Sequence, residues 1–115
     1  MINLIVDQVC EVQRYEIDCV PTPMPGQPAA LMDAADEVFA RHGTLVVSGS
    51  AAEDVTLRLL RRVREGVYKP EEVNICVRWA WQGVEKVNAM TVSEKGRVTE
   101  NWPGGFFEHR LDEMF

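Results

Sequence analysis

Cysteine and histidine are scarce in this sequence of 115 residues. It contains three cysteines, Cys10, Cys19 and Cys76, and two histidines, His42 and His109. The cysteines form no CxxC pair and their number is odd, so we expect neither a disulfide framework nor a zinc site. The histidines lie far apart, and nothing in their spacing requires a Cys–His catalytic pair. We therefore expect no metal and no other cofactor.

Phosphate-binding loops and long apolar runs are also missing. Neither GxxxxGK[ST] nor GxGxxG occurs, so no segment is built to cradle the phosphates of a nucleotide. The first residues, MINLIVDQ, lack a basic start and a small-residue cleavage site. We predict no signal peptide, no transmembrane helix and no membrane partner, and we expect a cytoplasmic location. The net charge of −6 argues against general attraction to nucleic acid.

The clearest element in the sequence is a helix at residues 50–66, within a chain whose length predicts one domain across residues 1–115. Ser50 and Glu53 have the spacing of a capping box, and Gly66 supplies a stop signal. Its apolar face follows helical periodicity through Val55, Leu59, Leu60 and Val63. Such an amphipathic helix must lie on an apolar surface.

Strand and helix patterns on both sides of this helix predict the fold class. A second helix is predicted from Pro28 to about His42, with Gly43 as its end. The pattern of β-branched, aromatic and alternating residues predicts strands at residues 2–6, 9–20, 44–48, 73–81 and 84–92. The order predicts an α/β fold: a small mixed sheet with two main helices, a C-terminal β-hairpin and an aromatic tail. Its central strands would be parallel.

Two groups of side chains are candidates for contact with a partner. The helix carries four arginines that could bind an anion, a nucleic acid or an acidic protein: Arg58, Arg61, Arg62 and Arg64. The alternative is a solvated face paired with its own neighbours, such as Arg61 with Glu65. The second group is aromatic, and we expect it in the core, at an interface or anchoring the tail: Trp79, Trp81, Trp102, Phe106 and Phe107.

Residues 53–77, EDVTLRLLRRVREGVYKPEEVNICV, and residues 96–115, GRVTENWPGGFFEHRLDEMF, resemble the C-terminal part of OLD-like, ABC-class AAA ATPases related to the SMC and RecF proteins. In that family a strand leads into a helix with an arginine-rich RLRR…G end. An sPEdV turn, a hairpin and a closing WP.GFF tail follow. The resemblance makes residues 51–115 an ATPase C-terminal-like half.

The resemblance also implies a degenerate Walker B-like half at residues 1–50. Asp7 would match the acid that holds magnesium, and Gln8 would stand at the position of the catalytic carboxylate. Glutamine cannot act as a base, so that chemistry would be lost. Residues 48–50 read Ser-Gly-Ser where the family has a switch histidine, and the phosphate loop is missing.

These implications favour a protein-interaction subunit over an enzyme. The subunit would belong to a bacterial defence or DNA-maintenance system, and its partner would be an ATPase, an effector subunit or a second copy of the chain. Two alternatives remain open. The chain could complete a composite ATPase site with another chain, or it could bind nucleic acid through the arginine-rich helix.

Overall fold

The sheet and helices are taken from a computed structural model that describes residues 1–10 and 12–103. The elements in chain order are β1 Ile2–Asp7, β2 Tyr15–Ile17, β3 Val20–Pro21, α1 Pro28–Ala40, β4 Thr44–Ser48, α2 Ala51–Arg64, a 3-10 turn Pro70–Glu72, β5 Val73–Trp81 and β6 Val84–Met90. Among the described residues, six strands form one sheet in the order β3-β2-β4-β1-β5-β6. β4 and β5 run parallel to β1, whereas β2 and β6 are antiparallel to their neighbours. The predicted α/β fold with a mixed sheet, parallel central strands and two helices is confirmed.

Both helices pack on the same face of the sheet. The two helices contact each other, and α2 also contacts β1 and β4. In β1 the alternate residues Ile2, Leu4 and Val6 are fully buried and join one apolar cluster with both helices. Asn3 and Ile5 point to the opposite face and are only half-buried. We call this opposite face, which no helix of the described residues covers, the open face.

The predicted helix α2 is confirmed, but the capping box at its start is wrong. Ser50 has φ −65° and ψ −28°, which are helical angles, and its side chain makes no capping hydrogen bond. Gly49, with φ +75°, makes the turn out of β4 instead. Because Ser50 already follows the helical path, its hydroxyl does not take the position from which an extended N-cap residue reaches the following amides.

Both helices end with the amide-to-carbonyl pattern of a Schellman motif. At the end of α2 the amide of Gly66 donates to the carbonyl of Val63, and the amide of Val67 donates to that of Arg62. At the end of α1 it is His42, with φ +55°, that occupies the left-handed position. The prediction that Gly43 would stop this helix is therefore wrong by one residue.

The predicted strand at residues 9–20 is much shorter in the structure. The carboxylate of Asp7 accepts hydrogen bonds from the amides of Val9 and Cys10, which holds the chain in a turn directly after β1. Strand pairing resumes only in β2. The prediction that Cys10 lies in a strand is thus wrong, because a local side-chain contact replaces the ladder.

A second interruption separates β2 from β3. Asp18 and Cys19 both have positive φ, 50° and 68°, and form the turn between the two strands. Cys19 is therefore also outside the strands, and of the three cysteines only Cys76 lies in one, β5. This edge of the sheet ends in a strand of two residues that closes with Pro21.

The predicted hairpin of β5 and β6 is confirmed. Gln82 and Gly83 both have positive φ, 50° and 78°, as in the two-residue turns that suit the twist of a hairpin. β6 ends at Met90, earlier than the predicted residue 92, and Val92 pairs with Val98 in an isolated bridge. In the part of the chain that the structure describes, no helix is long and apolar enough to cross a membrane.

Candidate functional site

The buried carboxylate of Asp7 is the most unusual feature of the open face. Asp7 is the last residue of β1, in register with Ser48 of β4 and Arg78 of β5. It is only 1% exposed although it lies at the end of a strand. A carboxylate with so little access to water needs hydrogen-bond donors from the protein.

Four donors surround this carboxylate. Its Oδ1 accepts from the amides of Val9 at 3.0 Å and Cys10 at 3.2 Å. Its Oδ2 accepts from Nη1 of Arg14 at 2.7 Å and from Nη1 of Arg78 at 3.0 Å. Both oxygens thus have two donors each, which is the full capacity of a carboxylate.

The two arginines also bind other carboxylates, and together these charged residues link four strands of the sheet. Arg14 also pairs with Glu16 of β2. Nη2 of Arg78 donates to both carboxylate oxygens of Glu85 of β6, at 2.8 Å each. We call these five residues, Asp7, Arg14, Glu16, Arg78 and Glu85, the charge network. It joins β2, β1, β5 and β6 on the open face.

The surroundings of Asp7 hold it in its ionised form. Burial alone raises the pKa of Asp7, but the hydrogen bonds from Arg14, Val9 and Cys10 and the charge of Arg78 outweigh it. The net result is a pKa below the ordinary value of 3.8. A group with a depressed pKa stabilises the fold wherever it is ionised.

The predicted role of Asp7 and Gln8 in holding magnesium or a nucleotide stays a prediction. In the arrangement described here the Asp7 oxygens have no lone pair left for a cation, and two guanidinium groups lie beside Oδ2. The amide of Gln8 donates to the carbonyl of Arg78 at 2.8 Å. Within residues 1–10 and 12–103, no group of three or more His, Cys, Asp or Glu side chains could hold a metal ion.

Two of the predicted arginines join the helices to each other. Arg58 of α2 contacts Asp36 of α1 at 2.6 Å, and Arg62 contacts the same carboxylate at 3.2 Å. Both side chains are about a quarter exposed. Sequence analysis missed this inter-helix contact, because Asp36 lies on a different element. These two residues help to fix the packing of α1 against α2.

Arg61 and Arg64, together with Arg58, line a cleft of about 650 Å³ between the two helices and the loop of residues 22–27 that precedes α1. Arg61 pairs with Glu65 at 3.2 Å, as predicted from their spacing. The apolar lining consists mainly of Met24, Pro25, Pro28, Leu31, Met32 and Leu57, and the polar lining includes Asp54, Arg58, Arg61 and Arg64. Since Arg58 and Arg61 are paired with carboxylates, they do not present free positive charge to a ligand.

The predicted aromatic residues separate into three groups. Trp79 is half-buried, its Nε1 donates to Oδ1 of Asn88 at 2.8 Å, and Nζ of Lys86 lies 5.3 Å from its ring centre. Trp81 is exposed on the same face of β5. Trp102 is buried in the main apolar cluster, as expected for an anchor. The predicted interface residues Phe106 and Phe107 lie outside the described residues.

The surface of the β5–β6 hairpin is rich in exposed apolar side chains. Trp81 is 60% exposed, Val84 58% and Val87 65%. All residues of β6 except Met90 are exposed, and β6 is the last strand of the sheet. We call Trp79, Trp81, Val84, Val87 and the outer edge of β6 the hairpin surface.

Comparison with known proteins adds no family. No protein-family model, no curated protein and no solved structure matches the chain. Nothing in these comparisons links it to OLD-like ATPases, so the resemblance stays a prediction.

Proposed function

We propose that this protein is a non-catalytic subunit that binds another protein through the hairpin surface. The observation that carries the proposal is the edge strand β6, which has no further strand beside it among residues 1–10 and 12–103. It is seven residues long, pairs with β5 without interruption from Ile75–Met90 to Trp81–Val84, and contains no proline. Long regular edges of this kind are templates for pairing with another strand.

The opposite edge of the same sheet supports this interpretation by contrast. There the edge strand β3 has two residues and ends at Pro21, which has no backbone N–H to offer. Short strands and proline are among the devices by which proteins protect an edge. β3 has both, whereas β6 has neither and carries one lysine and one glutamate as its charged residues, as expected if β6 serves for binding.

The apolar residues around β6 add side-chain contact to backbone pairing. Trp81 and Val84 flank the turn of the hairpin on one face, and Val87 lies on the open face. Aromatic residues at the centre of an interface usually contribute most of its binding energy. In this proposal the partner aligns a strand with β6 and covers Trp81.

The resemblance to ABC-class ATPases gives the proposed partner a class. It would be an ATPase or effector subunit of a bacterial defence or DNA-maintenance system, or a second copy of this chain. The alternative of a composite ATPase site receives no support from Asp7, because its oxygens are saturated by protein donors. The charge network is better explained as a clamp that holds four strands together.

We expect the double variant Trp81→Ala, Val84→Ser to bind the product of a neighbouring gene about 30-fold more weakly than the wild type does. Truncation of a central aromatic contact typically has an effect of this size. The measurement is isothermal titration calorimetry of the two purified proteins. Val20→Ser is the matched control, since Val20 is 61% exposed on the opposite edge strand. It should leave the affinity unchanged.

The same titration is repeated with ATP and magnesium. Binding of ATP that appears only in the complex and disappears in Asp7→Ala would contradict the non-catalytic proposal and favour a composite site. An equal loss of affinity in Val20→Ser would contradict the assignment of the hairpin surface.

A further inference from the structure

We infer that the hairpin surface binds a second copy of this chain, and that the two copies pair β6 with β6 about a two-fold axis at Val87. The inference rests on the proposed function and names one partner for its surface. The result would be an antiparallel sheet that continues from one copy into the other. Four observations lead to this pairing.

The first is the direction of the backbone groups of β6. Trp81 and Val84 flank a two-residue turn, so they form a hydrogen-bonded pair. The residues that bond to β5 therefore alternate along β6 from Val84 onwards. The amides and carbonyls of Glu85, Val87 and Ala89 point away from β5, and they have no neighbouring strand in the part of the chain that is described.

The second is the symmetry of antiparallel pairing. A two-fold axis perpendicular to the sheet reverses the strand direction and keeps each face on its own side. An axis at Val87 places Val87 opposite its own copy and Glu85 opposite Ala89. All three outward residues then face outward residues of the other copy, and every one of their backbone groups finds a partner.

The third is the charge pattern of the register. β6 carries one glutamate and one lysine, so the edge is neutral although the whole chain is acidic. With the axis at Val87, Lys86 lies opposite Asn88 and no like charges are directly opposite. An axis at Glu85 would instead place two glutamates directly opposite each other, and an axis at Lys86 two lysines. Like charges in these positions are unfavourable.

The fourth is the limit set by the end of β6. An axis one residue further on, at Asn88, would place Glu85 opposite Thr91. The backbone of Thr91 is already in use: its amide donates to Glu100 at 2.8 Å, and its carbonyl accepts from Thr99 at 3.1 Å. An axis at Val87 pairs all of β6. It places no like charges opposite each other and does not need the backbone groups of Thr91.

The test is disulfide cross-linking at the proposed axis. Across a hydrogen-bonded antiparallel pair the two Cα atoms lie about 5.5 Å apart, within the range of a disulfide. We expect Val87→Cys to form at least about fivefold more disulfide-linked dimer under mild oxidation than Glu85→Cys. In the proposed register two residues at position 85 are about 13 Å apart along the strands. Both variants carry Cys19→Ser, because Cys19 is exposed.

The second measurement is sedimentation equilibrium of the wild type and Val87→Lys. The substitution places two lysines opposite each other at the axis, so the dimer dissociation constant should rise at least about tenfold. The backbone groups of Val87 point away from β5, but its side chain lies opposite Arg78, so circular dichroism and urea denaturation check that the variant keeps the pairing of β6 with β5. Val20→Lys, on the other edge, should leave the dissociation constant unchanged.

Three results would overturn the inference. A wild type that stays monomeric at all concentrations excludes the dimer, and more dimer from Glu85→Cys than from Val87→Cys excludes the register. Equal weakening by Val20→Lys excludes β6. If the wild type is monomeric but the double variant Trp81→Ala, Val84→Ser still binds the product of the neighbouring gene more weakly, only this inference is refuted. If neither interaction depends on the hairpin surface, the proposed function fails as well.

Discussion

Asp7→Asn is expected to lower the free energy of unfolding at pH 7 by about 3 kcal/mol. The substitution keeps the shape of the side chain but removes its charge and places an NH₂ group or a neutral oxygen beside two guanidinium groups. The arginine side chains are 35% and 30% exposed, so water offsets part of the loss, and we expect the lower end of the range for broken buried pairs. Urea denaturation followed by fluorescence measures the difference.

Glu85→Gln is the matched control for Asp7→Asn, because both carboxylates pair with the same arginine, Arg78. Glu85 is more than half exposed, and exposed pairs contribute at most about 1 kcal/mol. If the two variants were equally destabilised, the burial of Asp7 would not be the source of its effect, and the clamp that we describe would be refuted.

The effect of Asp7→Asn should depend on pH. The folded-state pKa of Asp7 lies below its ordinary value, so the carboxylate contributes stability that is fully present above the unfolded-state pKa. This contribution is lost as the pH falls through the folded-state pKa. The difference in unfolding free energy between wild type and Asp7→Asn should therefore be constant from pH 7 to about pH 5 and narrow below the ordinary value of 3.8. A difference that widened at low pH would contradict this assignment.

Gly96→Ala is expected to destabilise the protein by about 3 kcal/mol or more. Gly96 has φ +70° and packs against α2, where an added methyl group would overlap the carbonyl oxygen of Leu60 and lie 3.0 Å from Cβ of Arg64. Backbone atoms cannot move aside as a flexible side chain can, so the turn must separate from the helix. Thermal and urea denaturation both report this loss.

Gly66→Ala separates the cost of a left-handed alanine from the cost of steric overlap with α2, which both act at Gly96. Gly66 has φ +80°, similar to Gly96, but an added methyl group there would meet nothing within 4 Å. This variant should therefore show only the cost of a left-handed alanine, about 1 kcal/mol. Equal destabilisation of the two variants would show that the turn does not pack against α2 as described.

The elements of this fold could be predicted from local patterns, because each signal lies within a few residues. Apolar periodicity located α2, and alternation located β5. The errors arose where one side chain changed the local path. At Asp7 a carboxylate captures two following amides, so the chain turns where its composition predicts a continuing strand.

The charge network could not be predicted, because its members become neighbours only after the sheet has formed. Asp7 and Arg78 are 71 positions apart and meet through the pairing of β1 with β5. A weaker signal is present: Arg78 is the only charged residue of β5. A charge in the middle of such a strand indicates a partner elsewhere in the sheet.

The position of β6 at the edge of the sheet could likewise not be predicted from the sequence. The pattern of residues 84–92 predicted a strand but not its place in the sheet, which depends on how β1, β4 and β5 are ordered. The same ordering decides that both helices cover one face. From the sequence, Trp81 could be a core or an interface residue; in the structure it is exposed, next to an edge strand that no other strand of the described residues pairs with.

The position of β1 between β4 and β5 has a consequence for the order of assembly. Leu4 is in register with Leu45 on one side and with Ile75 on the other, so the pairing of β1 is completed by strands that follow much later in the chain. Contacts between such distant segments slow folding, because the intervening chain must be ordered first. β1 can therefore complete its pairing only when β5, which follows it in the chain by about 70 residues, is available.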